Sequence, residues 1–197
     1  MGRDAGSAVK YAYVDAEFTG EHARATLVSI AIVGENDEEL SLTLDDYDQG
    51  QVTPWLRENV LAHIDSRQSV SSRQAFQEVR TWFDDYADGE RVHLVSAGKL
   101  LDLMLLFELW HHGQPDREYF HHLHGLPEYL NHAAHFDLPT TFFLAGLDPH
   151  LDRAAFIGGE VEGQRHEALY DARVVRSCFL KLLRSEAFPR LDSAAAR

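Results

Sequence analysis

Three short apolar runs at the front of the chain, Tyr11 to Val14, Ala25 to Val33 and Leu40 to Leu44, do most to limit what it can fold into. Each is rich in β-branched or aliphatic residues, and the segments between them, EFTGEHAR and GENDEE, are short and turn-prone. Connections that short join antiparallel neighbours, so the front of the chain predicts a three-stranded meander. Helical spacing follows over Val52 to His63 and over Ser72 to Tyr86. In the second, Phe76, Val79, Trp82, Phe83 and Tyr86 share a face and Ser71 or Ser72 can cap the start. A short strand comes next at Arg91 to Val95, then an apolar helix from Leu100 to Trp110. An amphipathic helix from Glu167 to Leu183 turns Leu169, Ala172, Val175, Phe179 and Leu183 inward. Antiparallel strands, then helix, strand and helix, predict a mixed α/β layer architecture. Residues 113 to 165 are less regular, with a helix expected around Glu118 to Ala134 between loops.

At 197 residues the chain suits one domain with a sizeable core, expected over residues 9–188 between a flexible leader (1–8) and a flexible tail (189–197). The longest apolar runs, such as Leu27 to Val33 and Leu103 to Leu109, are far shorter than the ~20 residues a spanning helix needs, so no membrane association is expected. The start, MGRDAGSAVK, has no apolar signal core, and the single cysteine, Cys178, leaves no intramolecular disulfide, which together point to a cytoplasmic location. A formal charge of −14 argues against a protein that coats long nucleic acid, since that binding depends on many Lys and Arg. It leaves room for a site that grips only the last few nucleotides, where part of the acidic excess binds cations.

Three clusters could carry chemistry. In VDAEFTG, Asp15 and Glu17 are two apart at a strand end, so both carboxylates face the same way and can reach one cation; hard oxygen donors suit Mg²⁺ or Mn²⁺. The bland alternative is a solvated strand terminus. Asp102 sits in the apolar LLDLMLLFELW, where a carboxylate either caps the helix or serves a cleft. In HEALYDA, His166 and Asp171 are five apart, roughly 140° around an ideal helix, so both can face one site only if His166 lies on the approach to the helix. Gly158, Gly159 and Gly163 make that approach flexible, and the plain reading of His166 is a polar residue at a helix start.

DAEFTG, a later Asp on an apolar helix, and a final His-x-Ala-x-x-x-Asp arrangement, in that order, resemble the DEDDh exonuclease superfamily. The likeness runs from Tyr11 to about Leu183, the middle region excepted. It is nearest to the small stand-alone bacterial exoribonucleases, whose second motif also ends in Asp, an apolar run and Leu-Trp, as in Asp102 to Trp110. The resemblance implies a ribonuclease H-like mixed sheet, an antiparallel meander plus parallel strands flanked by helices, and two divalent cations, Mg²⁺ or Mn²⁺. It implies Asp15, Glu17, Asp102 and Asp171 as ligands, His166 as the base that deprotonates the attacking water, and Phe18, Thr19 and Gly20 as the stretch that holds the terminal nucleotide. The implied activity is 3′-to-5′ hydrolysis of single-stranded RNA or short oligonucleotide ends to nucleoside 5′-monophosphates. A homodimer is compatible with it. Where many relatives carry His-Asn, this chain has Ala97 and Gly98, which puts substrate contacts there in doubt.

Two rival readings differ in partner or in chemistry: a DNA-directed proofreading exonuclease, and a non-catalytic nucleic-acid or protein-binding module on the same scaffold. The module would be betrayed by loss of an acidic residue, and all five positions are filled. Seven histidines between His111 and His135 (His111, His112, His121, His122, His124, His132, His135) read as a polar helical surface, because no Cys and no HExxH accompany them. Ser96-Ala97-Gly98-Lys99 reads as a turn. Arg165 and Arg173 are the cations nearest the last helix available for phosphate.

Overall fold

Strand β1 (Val9–Phe18) is the middle of a five-stranded sheet in the order β3-β2-β1-β4-β5. The computed structural model describes residues 9–64, 66–98, 100–113 and 125–185. β2 (Leu27–Val33) and β3 (Glu39–Thr43) form the expected antiparallel meander, with Asp15 opposite Ala31 and Ala31 opposite Ser41. β4 (Arg91–Ser96) runs parallel to β1, pairing Tyr13 with Val95, and β5 (His135–Asp137) runs parallel to β4, pairing Ser96 with Asp137. The mixed α/β expectation therefore holds. β1 is longer than the apolar run Tyr11 to Val14 that signalled it, because ladder pairing with β2 carries it through Asp15 and Glu17, residue types that strands otherwise disfavour.

Helices cover both faces. On one side lie α2 (Ser72–Ala87) and α3 (Leu101–Glu108), the latter continuing as a 3₁₀ turn to Gly113; Phe76, Phe83, Leu106 and Trp110 pack there against Val14 and Ile30. On the other, α7 (Ala168–Leu183) lays Ala172, Val175, Phe179 and Leu182 against Tyr13, Val33 and Val95. All seven residues of β2 are buried, as a strand covered on both faces requires. Truncating a fully buried ring such as Phe83 or Phe179 to Ala would cost about 3–5 kcal/mol.

Helix ends follow local chemistry. Ser71 caps α2 by accepting from the Gln74 N–H. α1 (Pro54–Asn59) is shorter than Val52 to His63, because Pro54 lacks an N–H and fits only the first turn, behind the Thr53 cap. Along α7 the fully buried residue of the last turn is Leu182, while the expected Leu169 and Leu183 are half-buried and pack against the same core. The helix expected around Glu118 to Ala134 needs correcting where it is described: Pro127 is extended, and a single turn, α4 (Glu128–Asn131), follows it. Residues 118–124 lie outside the described residues. β5, α5 (Leu138–Leu144) and α6 (Arg153–Phe156) replace the loops expected beyond. Among the described residues, no helix is long and apolar enough to cross a membrane.

Candidate active site

The C-terminal end of β1 brings the first two carboxylates into place. Side chains alternate along a strand, and Tyr11 and Tyr13 pack on the α7 face, so Asp15 and Glu17 emerge on that face where the helix begins. Among the described residues, Asp15 (9% exposed) and Asp102 (1%) are the only buried carboxylates. Burying an ionised carboxylate is costly unless something compensates it.

Asp102 sits in the first turn of α3 but does not act as its cap. Its carboxylate turns back to accept the Gly98 N–H at 2.8 Å. A Cβ at Gly98 would collide with that carboxylate, its nearest oxygen included, so the missing side chain is what lets Asp102 lie against the loop. The Gly98 that departs from the His-Asn of relatives thus has a local structural role here. Leu100, the cap position, is left-handed at φ 69°, an uncommon state for a bulky residue.

Asp171 lies in the first turn of α7, and His166 lies before the helix, on its approach, as the five-residue spacing required. The His166 N–H donates to an Asp171 carboxylate oxygen at 2.8 Å. His166 is also left-handed, at φ 68°, and its Nδ1 lies 3.9 Å from a Glu17 oxygen. Held backbone of this kind, beside Asp102 and again at His166, persists where surroundings enforce it and points to function. Asp15, Glu17, Asp102, Asp171 and His166 all line one open cleft of about 310 Å³, together with Phe18, Gly98, Arg153 and Arg165. Glu17, His166 and Asp171 each offer a ligand atom within 4.8 Å of one another, so geometry alone admits His166 as a ligand as well as a base.

The cluster is electrostatically uncomfortable as it stands. Burial, then the neighbouring carboxylates Asp102, Asp171 and Glu17, hold the Asp15 carboxyl well above the usual range. Burial with Asp171 and Asp102 pushes Glu17 up to about 8, and burial pushes Asp102 up to about 7 against the opposing Gly98 hydrogen bond. Asp171 is raised too, by burial, partly offset by the His166 N–H. Four carboxylates that resist ionisation together are what a multivalent cation would relieve. The donors are hard oxygens, which fit Mg²⁺ or Mn²⁺.

Other expected contacts divide. Of Phe18, Thr19 and Gly20, Phe18 alone lines the cleft. Thr19 is buried, its hydroxyl donating to Gln51 at 2.5 Å and accepting from the Thr26 N–H, so it shapes the loop rather than its open surface. Gly20 faces the His22 ring. Arg165 lines the cleft, whereas Arg173 is held by Glu39 through two bonds of 2.7 and 2.6 Å and is not free for phosphate. Sequence reasoning missed Arg153, which reaches the cleft from α6, and Trp55 of α1. Trp55 is half-exposed, and its ring meets the His166 ring edge-on at 5.1 Å. No sequence signal marked either, because both come from segments whose placement depends on tertiary packing. His135 packs against Phe107, and burial pushes its imidazole down to about 4, so it is a packing residue; His121, His122 and His124 lie outside the described residues.

Comparison with known proteins places the fold. No family model matches the chain, and no curated protein sequence matches it. Among solved structures, S. pombe Pop2p in its Mg²⁺- and Mn²⁺-bound form is similar, with a TM-score of 0.60 and 12% identity over 89% of this chain and 83% of that one. At that identity the likeness concerns fold, and the fold is the ribonuclease H-like mixed sheet flanked by helices.

Proposed function

We propose that this chain is a metal-dependent 3′-to-5′ exonuclease that acts on single-stranded RNA or short oligonucleotide ends and releases nucleoside 5′-monophosphates. One observation carries the reading: four carboxylates and a histidine from β1, α3 and α7 meet in a single cleft, in the order of the DEDDh motifs. Asp15, Glu17, Asp102 and Asp171 are the groups that would hold two divalent cations. Such a pair, when bound, stabilises the entering and leaving oxygens of an in-line displacement. Asp102 is kept in place by the Gly98 N–H, and Asp171 by the His166 N–H. His166, on the more open side of the cluster, accepts the proton of the attacking water at a ring nitrogen. Phe18 and Trp55 supply rings against which the terminal nucleotide can pack. The preference for RNA rests on the likeness of Asp102 to Trp110 to the stand-alone exoribonucleases.

The test is digestion of matched 5′-labelled RNA and DNA oligomers with Mg²⁺, Mn²⁺ or chelator. The expected result is a ladder that shortens from the 3′ end of RNA and stops in chelator. Faster DNA digestion would replace the substrate class, and turnover in chelator would end the metal reading.

A further inference from the structure

The cleft does not stop at the carboxylates. A second hollow of about 170 Å³ adjoins it; the two share Arg153, Arg165 and Asp171, and Tyr170 also lines the second. We propose that Arg153 and Arg165 form a phosphate subsite beside the carboxylate cluster, taking a second phosphate of the bound ligand. The proposal rests on the exonuclease reading for the identity of that ligand.

Arg153 carries most of the argument. It is half-buried, and its guanidinium makes no hydrogen bond or ion pair among the described residues. A half-buried cation left without a partner is expensive, whereas a guanidinium that served only as counter-charge would sit on one of the nearby carboxylates. It nevertheless lines both hollows beside Asp171, so it borders the cleft that a phosphate would enter. Arg165 is the neighbour of His166 and has one loose surface pair, with Asp152 at 3.5 Å, where both side chains are more than half exposed. A pair of that kind contributes little and can be exchanged for a better anion. Planar guanidinium groups suit phosphate oxygens, which they bind through two parallel N–H donors. In a chain of net charge −14, two arginines on one acidic cleft are a local exception to the overall balance.

The phosphate could belong to the strand, one linkage away from the bond being cut, or to a nucleoside 5′-monophosphate held after cleavage. The experiment uses the full chain in Mg²⁺, as wild type, Arg153→Met and Arg165→Met. Arg165 is exposed enough that its replacement cannot plausibly unfold the protein, so it guards against misfolding of the Arg153 variant. Binding of inorganic phosphate is measured by calorimetry, and inhibition by a nucleoside 5′-monophosphate and turnover of an RNA oligomer with or without one methylphosphonate linkage next to the terminal one are measured alongside. Each variant is expected to bind inorganic phosphate roughly tenfold to a hundredfold more weakly while Mg²⁺ binding persists. If the methylphosphonate weakens the wild type but not the variants, the strand supplies the phosphate; if only monophosphate inhibition weakens in the variants, the product does. Phosphate binding lost in the variants without any RNA turnover in the wild type would uphold the subsite and defeat the exonuclease reading. Unchanged phosphate, monophosphate and oligomer behaviour in both variants overturns the subsite, and leaves the exonuclease reading standing if the wild type digests RNA.

Discussion

The two ends of β1 handle charge in opposite ways. At its start, most polar groups are matched, the buried Tyr13 hydroxyl and Arg176 Nε excepted: Lys10 donates to the Tyr86 carbonyl, the Tyr86 hydroxyl to the Tyr11 carbonyl, and the Tyr11 N–H to Glu35. Nearby, Arg173 grips Glu39 and Arg176 pairs with Asp37. At its finish, Asp15 and Glu17 meet Asp102 and Asp171, and among the described residues their one ion pair is the long contact from His166 to Glu17. Yet one helix, α7, serves both, supplying Asp171 to the cleft and Arg173 and Arg176 to the paired end. The fold is thus able to neutralise carboxylates and does so where they are structural. Four of them crowded at the other end is the arrangement that a cation from outside would relieve, as the proposed function requires.

The largest effect that would break this contrast is loss of turnover. Asp15→Ala, Glu17→Ala, Asp102→Asn or Asp171→Asn should each abolish RNA digestion while leaving the melting temperature of the metal-free protein unchanged or higher, because one repelling charge has gone and, in the two Asn variants, the Gly98 and His166 N–H groups keep an acceptor oxygen. A variant that digests normally, or one that melts far lower, would mean the carboxylates are structural after all.

His166→Ala should slow turnover by about 10² to 10⁴ and leave cation binding in place. Since Glu17, His166 and Asp171 lie close enough to share an ion, this measurement also decides between base and ligand. Cation binding lost as fully as in Asp15→Ala would make His166 a ligand.

The contrast was only partly legible in the sequence. Spacing put Asp15 and Glu17 on one strand face and allowed His166 to join Asp171 only by preceding α7, but each pattern also had a plain structural reading, and it was the ordered resemblance to the DEDDh motifs that singled these residues out. Meander and main helices followed from apolar period and caps. What could not be read depends on long-range packing. Arg153 carries no signal in the sequence and reaches the cleft only through the placement of α6, and Arg173 looked available until β3 brought Glu39 to it. β5, three residues long, has too few positions to show a period.

A smaller effect concerns pH. With Glu17 near 8 and Asp102 near 7 in the folded protein, both hold protons that the unfolded chain has already lost above about pH 4. Their contribution to stability is present below that value and is lost as pH rises toward about 8. His135, held down to about 4, acts in the opposite sense below about pH 6.5, so the clean window lies above that. In chelator, the melting temperature should fall from about pH 6.5 to 8 in the wild type, and less so in Asp102→Asn. A flat profile, or one identical in the variant, would contradict the strain assigned to the cluster.

The smallest effect belongs to the paired end. Glu39→Gln should cost less than about 1 kcal/mol, since its pair with Arg173 is partly exposed, and should leave RNA turnover unchanged. A clear fall in turnover would show that the two ends are coupled through α7.

The most direct test is a calorimetric titration of Mn²⁺ into the chelator-stripped protein near pH 7.5, with Asp15→Asn alongside. The expected result is saturable binding to the wild type with release of protons, because cations displace them from Glu17 and Asp102, and much weaker binding to the variant. Equal binding in both proteins, or none in either, would contradict the claim that the cleft is built to hold divalent cations.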